Sequence, residues 1–404
     1  MTELTAREEI RRLLEEQGRI TFARFMDVAL YWHGGGYYIG TSPVGASGDY
    51  YTSPGAHPAF GALLAVQAYQ MWLIMDCPKP FTVVEAGAGN GLLCHDFMSY
   101  AQHMPKGFFD ALDYVCLDRQ ESAEGREEGL GALVKAKVSR RVTEGVPLEA
   151  VQGCLISNEL LDAFPVHRVA MKDGELNEFF VTLEEGRYRD VLMEPSTPAL
   201  EERLVSLDVT LREGQQAEIS LALGPWLEEA ARALQRGYIV TVDYGRQAKD
   251  LYSEERLRGT LTSFYRHVQT DNPYQHVGEQ DITAQVDFTT PVELGRSLGL
   301  RPVALSPQGV FLDNLGIRSF ITRLAALGLD QKTRDANRMG MINLIRPGGL
   351  GDFKVLVQAK GAPTAGLWGV DRGEEVRWLV EKAPVPLLTG LHMPLLQGRY
   401  PHLA

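Results

Sequence analysis

Between Phe81 and Phe97 the chain reads FTVVEAGAGNGLLCHDF. An apolar run reaches Glu85, glycines follow at every second position (Gly87, Gly89, Gly91), and an apolar helical pattern starts after Asn90. Glycine serves where backbone must turn left-handed or approach another group closely. The segment therefore predicts a strand, a bare turn and a helix, the opening unit of a parallel α/β sheet. The alternation continues downstream. DYVCLD (Asp113–Asp118) and GCLISNE (Gly153–Glu159) read as buried strands, and Ser122 to Lys135 as helix. GPWLEEAARALQRG (Gly224–Gly237) reads as an amphipathic helix feeding the strand YIVTVDYG (Tyr238–Gly245), and FKVLVQAKG (Phe353–Gly361) as a late edge strand. Short apolar strands between helices predict a sheet covered on both faces.

The flanking segments follow other patterns. Arg7–Gln17 and Phe22–Tyr31 are helical by period. Pro58–Met75 carries no charge, but its Gly and Gln residues and one apolar stripe predict a buried amphipathic helix rather than a membrane span. His33–Gly55 is too rich in Gly, Ser and Pro for regular structure, and long loops of that kind often act as lids. Val166–Met193 changes to a strand meander with turns at Asp173-Gly174 and Glu185-Gly186. The expected organisation is a helical N-terminal cap with a lid loop over residues 1–80, the core over 81–165 and 224–361, an inserted β meander and connector over 166–223, and an extended tail over 362–404.

The chain of 404 residues has a net charge of −12. A polyanion-binding surface needs cations to neutralise phosphates, so nucleic acid is not an expected partner. The cysteines (Cys77, Cys94, Cys116, Cys154) form no CxxC pair, and the histidines have no HxxxH or HExxH spacing, so no metal site is expected. The cysteines read as buried thiols in a reducing compartment. The charged N-terminal helix lacks a signal-peptide core. Together these predict a cytoplasmic protein.

Three ligands compete for the glycine turn. No Gly-Lys-Ser/Thr follows, which excludes a P-loop. A dinucleotide turn is G-x-G-x-x-G with an acid about 20 residues on; here the third glycine comes one residue early, and Asp118 lies 27 residues after Gly91. S-adenosylmethionine has no pyrophosphate. It needs close backbone approach and a carboxylate for two ribose hydroxyls, and Asp118 closes a strand where that carboxylate belongs. The turn together with Asp118 favours S-adenosylmethionine.

Five stretches then carry a resemblance: GDYYTSP with HPAFG (Gly48–Gly61), VVEAGAGNG (Val83–Gly91), ISNELLDAFPV (Ile156–Val166), VDYG (Val242–Gly245) and GEQDITAQVDF (Gly278–Phe288). GTLTSFYRHV (Gly259–Val268) fits as well. In order and spacing the chain resembles the MidA-like S-adenosylmethionine-dependent methyltransferases, which include a mitochondrial complex I assembly factor that methylates an arginine of a partner subunit. Gly55 stands where the family usually has Glu, and Gln285 where it commonly has His. The resemblance implies a class I (Rossmann-like) methyltransferase sheet, with Glu85, Gly87, Gly89, Gly91, Asp118 and Asn158 at the cofactor. Asp49 and Ser53 of the lid loop are further candidates.

Strand-end acids complete the expectation. Glu159 and Asp162 follow the strand Gly153–Glu159, and in a parallel sheet ligands sit outside the carboxyl ends of the strands. If the methyl acceptor is a guanidinium, carboxylates pair with two nitrogens and leave the third free to react. The expected activity is N-methylation of a protein arginine, with Glu159 and Asp162 catalytic. The alternatives are methylation of a small molecule or another side chain, and a non-catalytic cofactor-binding assembly chaperone. On a purely structural reading Glu159 caps the next helix, Asp162 pairs with Arg168, and the lone His267 is structural.

Overall fold

A computed structural model describes residues 4–40, 52–120, 129–266 and 268–392. Seven strands form the central sheet: β1 (Phe81–Ala86), β2 (Leu112–Asp118), β3 (Val138–Val142), β4 (Val151–Asn158), β5 (Leu234–Asp243), β6 (Arg301–Pro307) and β7 (Lys354–Lys360). Their order across the sheet is β6-β7-β5-β4-β1-β2-β3. The pairs from β5 to β3 are parallel, whereas β7 runs antiparallel to both β5 and β6.

The sheet is covered on both faces because its strands are apolar at successive positions. Val83 and Cys154 face one core with the helices Ala59–Ile74 and Leu92–Ala101, while Val84 and Leu155 face another with the helix Leu223–Ala233. The order reverses between β1 and β4, so the loops after these strands diverge and leave a crevice at their carboxyl ends.

The inserted meander is present. His167–Lys172, Glu175–Glu184 and Arg187–Met193 pair antiparallel. Both turns take positive φ at their two central residues, at Asp173-Gly174 and Glu185-Gly186, as tight hairpin turns require. Gln216–Ile219 and the two-residue strand Ile20–Thr21 extend this sheet. The N-terminal helices Ala6–Gln17 and Phe22–Tyr31 therefore pack on the insertion, with Ile10, Leu14, Phe25 and Met26 in one core with Val166 and Val181, which Ile282 from the later strand Asp281–Thr283 joins.

Several expectations need correction. β7 is interior, because Arg301–Pro307 takes the edge beyond it; a strand carrying Pro302 and Pro307 suits an edge, where missing N–H groups cost no ladder bond. Ala59–Ile74 is buried on nearly every side rather than amphipathic, with Gln67 and Gln70 bonded to the backbone around Trp368 and Gly369. Among the described residues no helix is long and apolar enough to cross a membrane. The helix expected over Ser122–Lys135 is one turn, Ala132–Lys135, with residues 121–128 outside the described residues. The helix expected over Gly224–Gly237 ends at Ala233, where the strand already begins. Cys77 is exposed, whereas Cys94, Cys116 and Cys154 are buried. The tail contains a helix, Glu374–Lys382.

Candidate active site

The glycine turn is built by left-handed backbone. Gly87, Gly89 and Gly91 have φ of 73°, 52° and 78°. The amides of Gly87 and Ala88 donate to the Leu117 carbonyl at 2.9 and 3.0 Å, which ties the turn to β2. Asp118 at the end of β2 accepts from the Gly89 amide at 2.7 Å. Its carboxyl is pushed up by burial, against that hydrogen bond. Glu85 is buried at the end of β1 and accepts from the Tyr114 hydroxyl at 2.9 Å. Gly91 starts the helix Leu92–Ala101 as its left-handed N-cap.

These elements wall a cavity of about 540 Å³. Glu85, Gly87, Gly89, Asp118, Asn158, Glu159 and Asp162 line it; Gly91 and Ser53 do not. Ser53 is fully buried, its hydroxyl donating to Gln308 Oε1 at 3.0 Å and its amide to Glu159 Oε1 at 2.9 Å. It reaches the site through its backbone alone. Both ends of the expected lid loop are short helical turns, Tyr37–Gly40 and Ser53–Ala56. Asp49 and His267 lie outside the described residues. Gly55 caps back onto Thr52 Oγ1, and Gln285 lines a separate small cavity.

The segment after β4 concentrates acids. Glu159 has φ of 51°, a left-handed non-glycine residue held by its surroundings. Its amide donates to the Val242 carbonyl at 2.8 Å, and its Oε1 also accepts from Asn158 Nδ2 at 3.0 Å. Asp243, buried at the end of β5, accepts from the amides of Leu161 (2.9 Å), Leu160 (3.2 Å) and Asp162 (3.4 Å) and from that of Tyr244 (2.9 Å). That carboxylate is the brace on which Glu159-Leu160-Leu161-Asp162 turns. The structural alternatives fail here: Arg168 pairs with Asp190, and the short helix Leu161–Ala163 has no side-chain cap.

Burial pushes the Glu159 carboxyl up to about 8, opposed by the Ser53 amide and reinforced by Asp162. Burial pushes Asp162 up to about 7, against a hydrogen bond from the Tyr244 hydroxyl. Burial also raises Asp243, with Asp162 and Glu159 adding to it. Among the described residues no Lys or Arg forms an ion pair with any of the three. Asp162 Oδ1 and Asn158 Oδ1 are buried without a hydrogen-bond partner.

These raised values have a measurable sign. A carboxyl that binds its proton more tightly folded than unfolded stabilises the fold at low pH, and that contribution is lost as pH rises through the folded value. Glu159→Gln removes the Glu159 part. The ligand-free variant should match the wild type in Tm near pH 5 and gain on it steadily up to pH 8.5 in a thermal-shift series. Parallel curves would mean that Glu159 titrates in its ordinary range.

Other residues reach the cavity with no local sequence signal. Tyr31 and Tyr38 stack with ring centroids 5.5 Å apart, and the Arg119 guanidinium lies 4.1 Å over the Tyr31 ring. Tyr31 donates to the Ala163 carbonyl at 2.8 Å and Tyr38 to the Asp281 carboxylate at 3.0 Å. Trp226 packs edge-on against Phe164. Asp243 did have a signal: the strand-end rule that selects Asp118 and Glu159 selects it too.

A mostly parallel sheet with an antiparallel seventh strand, a bare left-handed glycine turn and an acid at the end of the second strand define a class I methyltransferase site. Its cradle fits S-adenosylmethionine, since a Cβ on Gly89 would meet no protein atom within 4 Å and would enter open space. A family model of S-adenosyl-L-methionine-dependent methyltransferases, Methyltransf_28, matches residues 63–305, and the chain belongs to that family. Among curated proteins it is similar to the mitochondrial protein arginine methyltransferase NDUFAF7 homolog of Drosophila melanogaster, 26% identical and covering 89% of this chain and 86% of that one. The Homo sapiens protein arginine methyltransferase NDUFAF7, mitochondrial, is 24% identical over 84% of this chain and 79% of its own. A Burkholderia thailandensis protein crystallised with S-adenosyl-homocysteine aligns with a TM-score of 0.80 at 27% identity, over 91% of this chain and 95% of that one. The MidA-like resemblance and the cofactor are borne out. The cytoplasmic expectation is not: the curated relatives are mitochondrial by name, and reduced thiols do not single out one compartment.

Proposed function

We propose that this S-adenosylmethionine-dependent methyltransferase N-methylates an arginine of a partner protein. The observation that carries the reading is the pair of buried acids Glu159 and Asp162 beside Asn158, with Asp162 Oδ1 and Asn158 Oδ1 unpartnered and, among the described residues, no Lys or Arg in an ion pair with either acid. A guanidinium supplies what is missing, a fixed charge and a fork of N–H donors. The names of the curated relatives agree with it.

Glu85, Gly87, Gly89, Asp118 and Asn158 would hold the cofactor along the ends of β1, β2 and β4, with Gly91 starting the helix behind the turn. When bound, S-adenosylmethionine supplies an electrophilic methyl group on a sulfonium. Glu159, held by the Ser53 amide and Asn158, pairs with one N–H edge of the guanidinium. Asp162 offers its unpartnered Oδ1 to a second nitrogen. A cation entering between them favours their ionised forms, so protons held by the free site leave as the substrate enters. Tyr31, Tyr38 and Trp226 narrow the approach and exclude water.

The test uses the purified protein, tritiated S-adenosylmethionine and extract from cells lacking the gene. Acid hydrolysis of the labelled protein should yield methylarginine. Label on another residue or in small molecules would overturn the substrate class. No label, with cofactor binding intact, would favour a non-catalytic chaperone.

A further inference from the structure

On the opposite side of the Ser53–Ala56 turn from Glu159 the surface changes sign. Residues 317–347 hold Arg318, Arg323, Lys332, Arg334, Arg338 and Arg346 against only Asp330 and Asp335, in a chain of net charge −12. The helices Ile317–Arg323 and Gln331–Ile345 enclose a groove of about 450 Å³ there. Arg338, Ile342, Ile345 and Arg346 fall at i, i+4, i+7 and i+8, one face of the second helix. The other face, Asn337, Gly340, Met341 and Leu344, is buried. Ile321, Ile342 and Ile345 are half-buried and form an aliphatic floor; Arg318, Arg338 and Arg346 are exposed at its rim.

The rim charges are available. Arg318 pairs through Nε with Asp313 at 2.7 Å, leaving its terminal nitrogens. The side chains of Arg338 and Arg346 form no ion pair or hydrogen bond among the described residues. Guanidiniums around an aliphatic floor complement a carboxylate-rich segment carrying an aliphatic anchor. Nucleic acid fits less well, because the groove has no aromatic side chain on which bases could stack. A membrane surface fits less well too, since the isoleucines lie at the bottom of a groove rather than on a projecting face.

We infer that the groove between Ile317–Arg323 and Gln331–Ile345 is a docking site for an acidic, leucine- or isoleucine-bearing segment of a partner protein. The site is backed by the active-site wall. A Cβ on Gly340 would come within 2.8 Å of the Ala56 carbonyl oxygen, and Leu344 accepts from Gln308, which in turn accepts from Ser53. This inference is independent of which residue the enzyme methylates.

The probe is a fluorescein-labelled dodecapeptide of Glu with Leu at every fourth position, titrated by anisotropy with the full chain at low and high salt. Saturable, salt-sensitive binding is expected, at least tenfold weaker for the double variant Arg338→Glu/Arg346→Glu. That variant should keep its Tm and its affinity for S-adenosyl-homocysteine, because both side chains are exposed and distant from the cavity lining. Replacing Leu with Ser in the peptide should also weaken binding. Equal binding by wild type and variant would overturn the proposal. So would competition by oligo-dT or phosphatidylglycerol vesicles as strong as that by unlabelled peptide. Self-association of the wild type that the double variant abolishes would reassign the groove to a second copy of the chain.

Discussion

Glu159→Gln should lower methyl transfer by about 10²–10³-fold and leave affinity for S-adenosyl-homocysteine unchanged, the loss typical of one preorganised electrostatic contact. Gln keeps the shape of Glu, and its side-chain oxygen still accepts from the Ser53 amide. It cannot ionise. In the ligand-free site burial already favours the neutral form of Glu159, so the variant mimics the resting state. The difference appears when a cation arrives and the carboxylate is needed. Asp162→Asn should cost less, because Asp162 is also engaged by Tyr244. The measurement is initial rate against S-adenosylmethionine at saturating protein substrate, beside calorimetry with S-adenosyl-homocysteine. If cofactor affinity collapses while turnover at saturating cofactor persists, Glu159 is a cofactor ligand and not a substrate clamp. If neither changes, its role is structural.

Gly87→Val should abolish binding of S-adenosyl-homocysteine on the calorimetric scale. Gly87 has φ of 73°, a region β-branched residues avoid, and its Cβ would stand 2.9 Å from Leu160 Cδ1. The strain moves either the turn or the loop that carries Glu159, and a shift of 1 Å at a reacting centre costs on the order of 10²-fold. Gly89→Ala is the companion. Its new methyl meets no protein atom within 4 Å, although φ of 52° strains any side chain there, so weakened binding at an unchanged Tm reports a ligand in that space. Retained circular dichroism and Tm show that each variant folds. Tight NAD binding by the wild type would contradict the cofactor assignment.

Much of this was readable because it is local. The helix Phe22–Tyr31 has the bounds its apolar period predicts. The meander turns fall at the Asp-Gly and Glu-Gly pairs because those positions need positive φ. Asp118 and Glu159 were found by one rule, that strand ends in a parallel sheet face a common crevice, and Glu85 by the motif it shares with the glycine turn. The same rule applied to VDYG would have added Asp243, whose carboxylate braces the segment Leu160–Asp162.

The amino-acid sequence by itself determined the elements, the left-handed glycine turn and the acids at the strand ends, since periodicity, turn chemistry and residue type are properties of neighbours along the chain. Only the tertiary structure decided that β7 is interior and antiparallel, that the N-terminal helices pack on the inserted sheet, and that Tyr31 and Tyr38 join the site. Those outcomes depend on pairing between segments far apart in sequence. An apolar strand carries the same pattern wherever it lies in a covered sheet, and a tyrosine near the N-terminus carries no mark of the short helix after β4, 132 residues later, that it will touch.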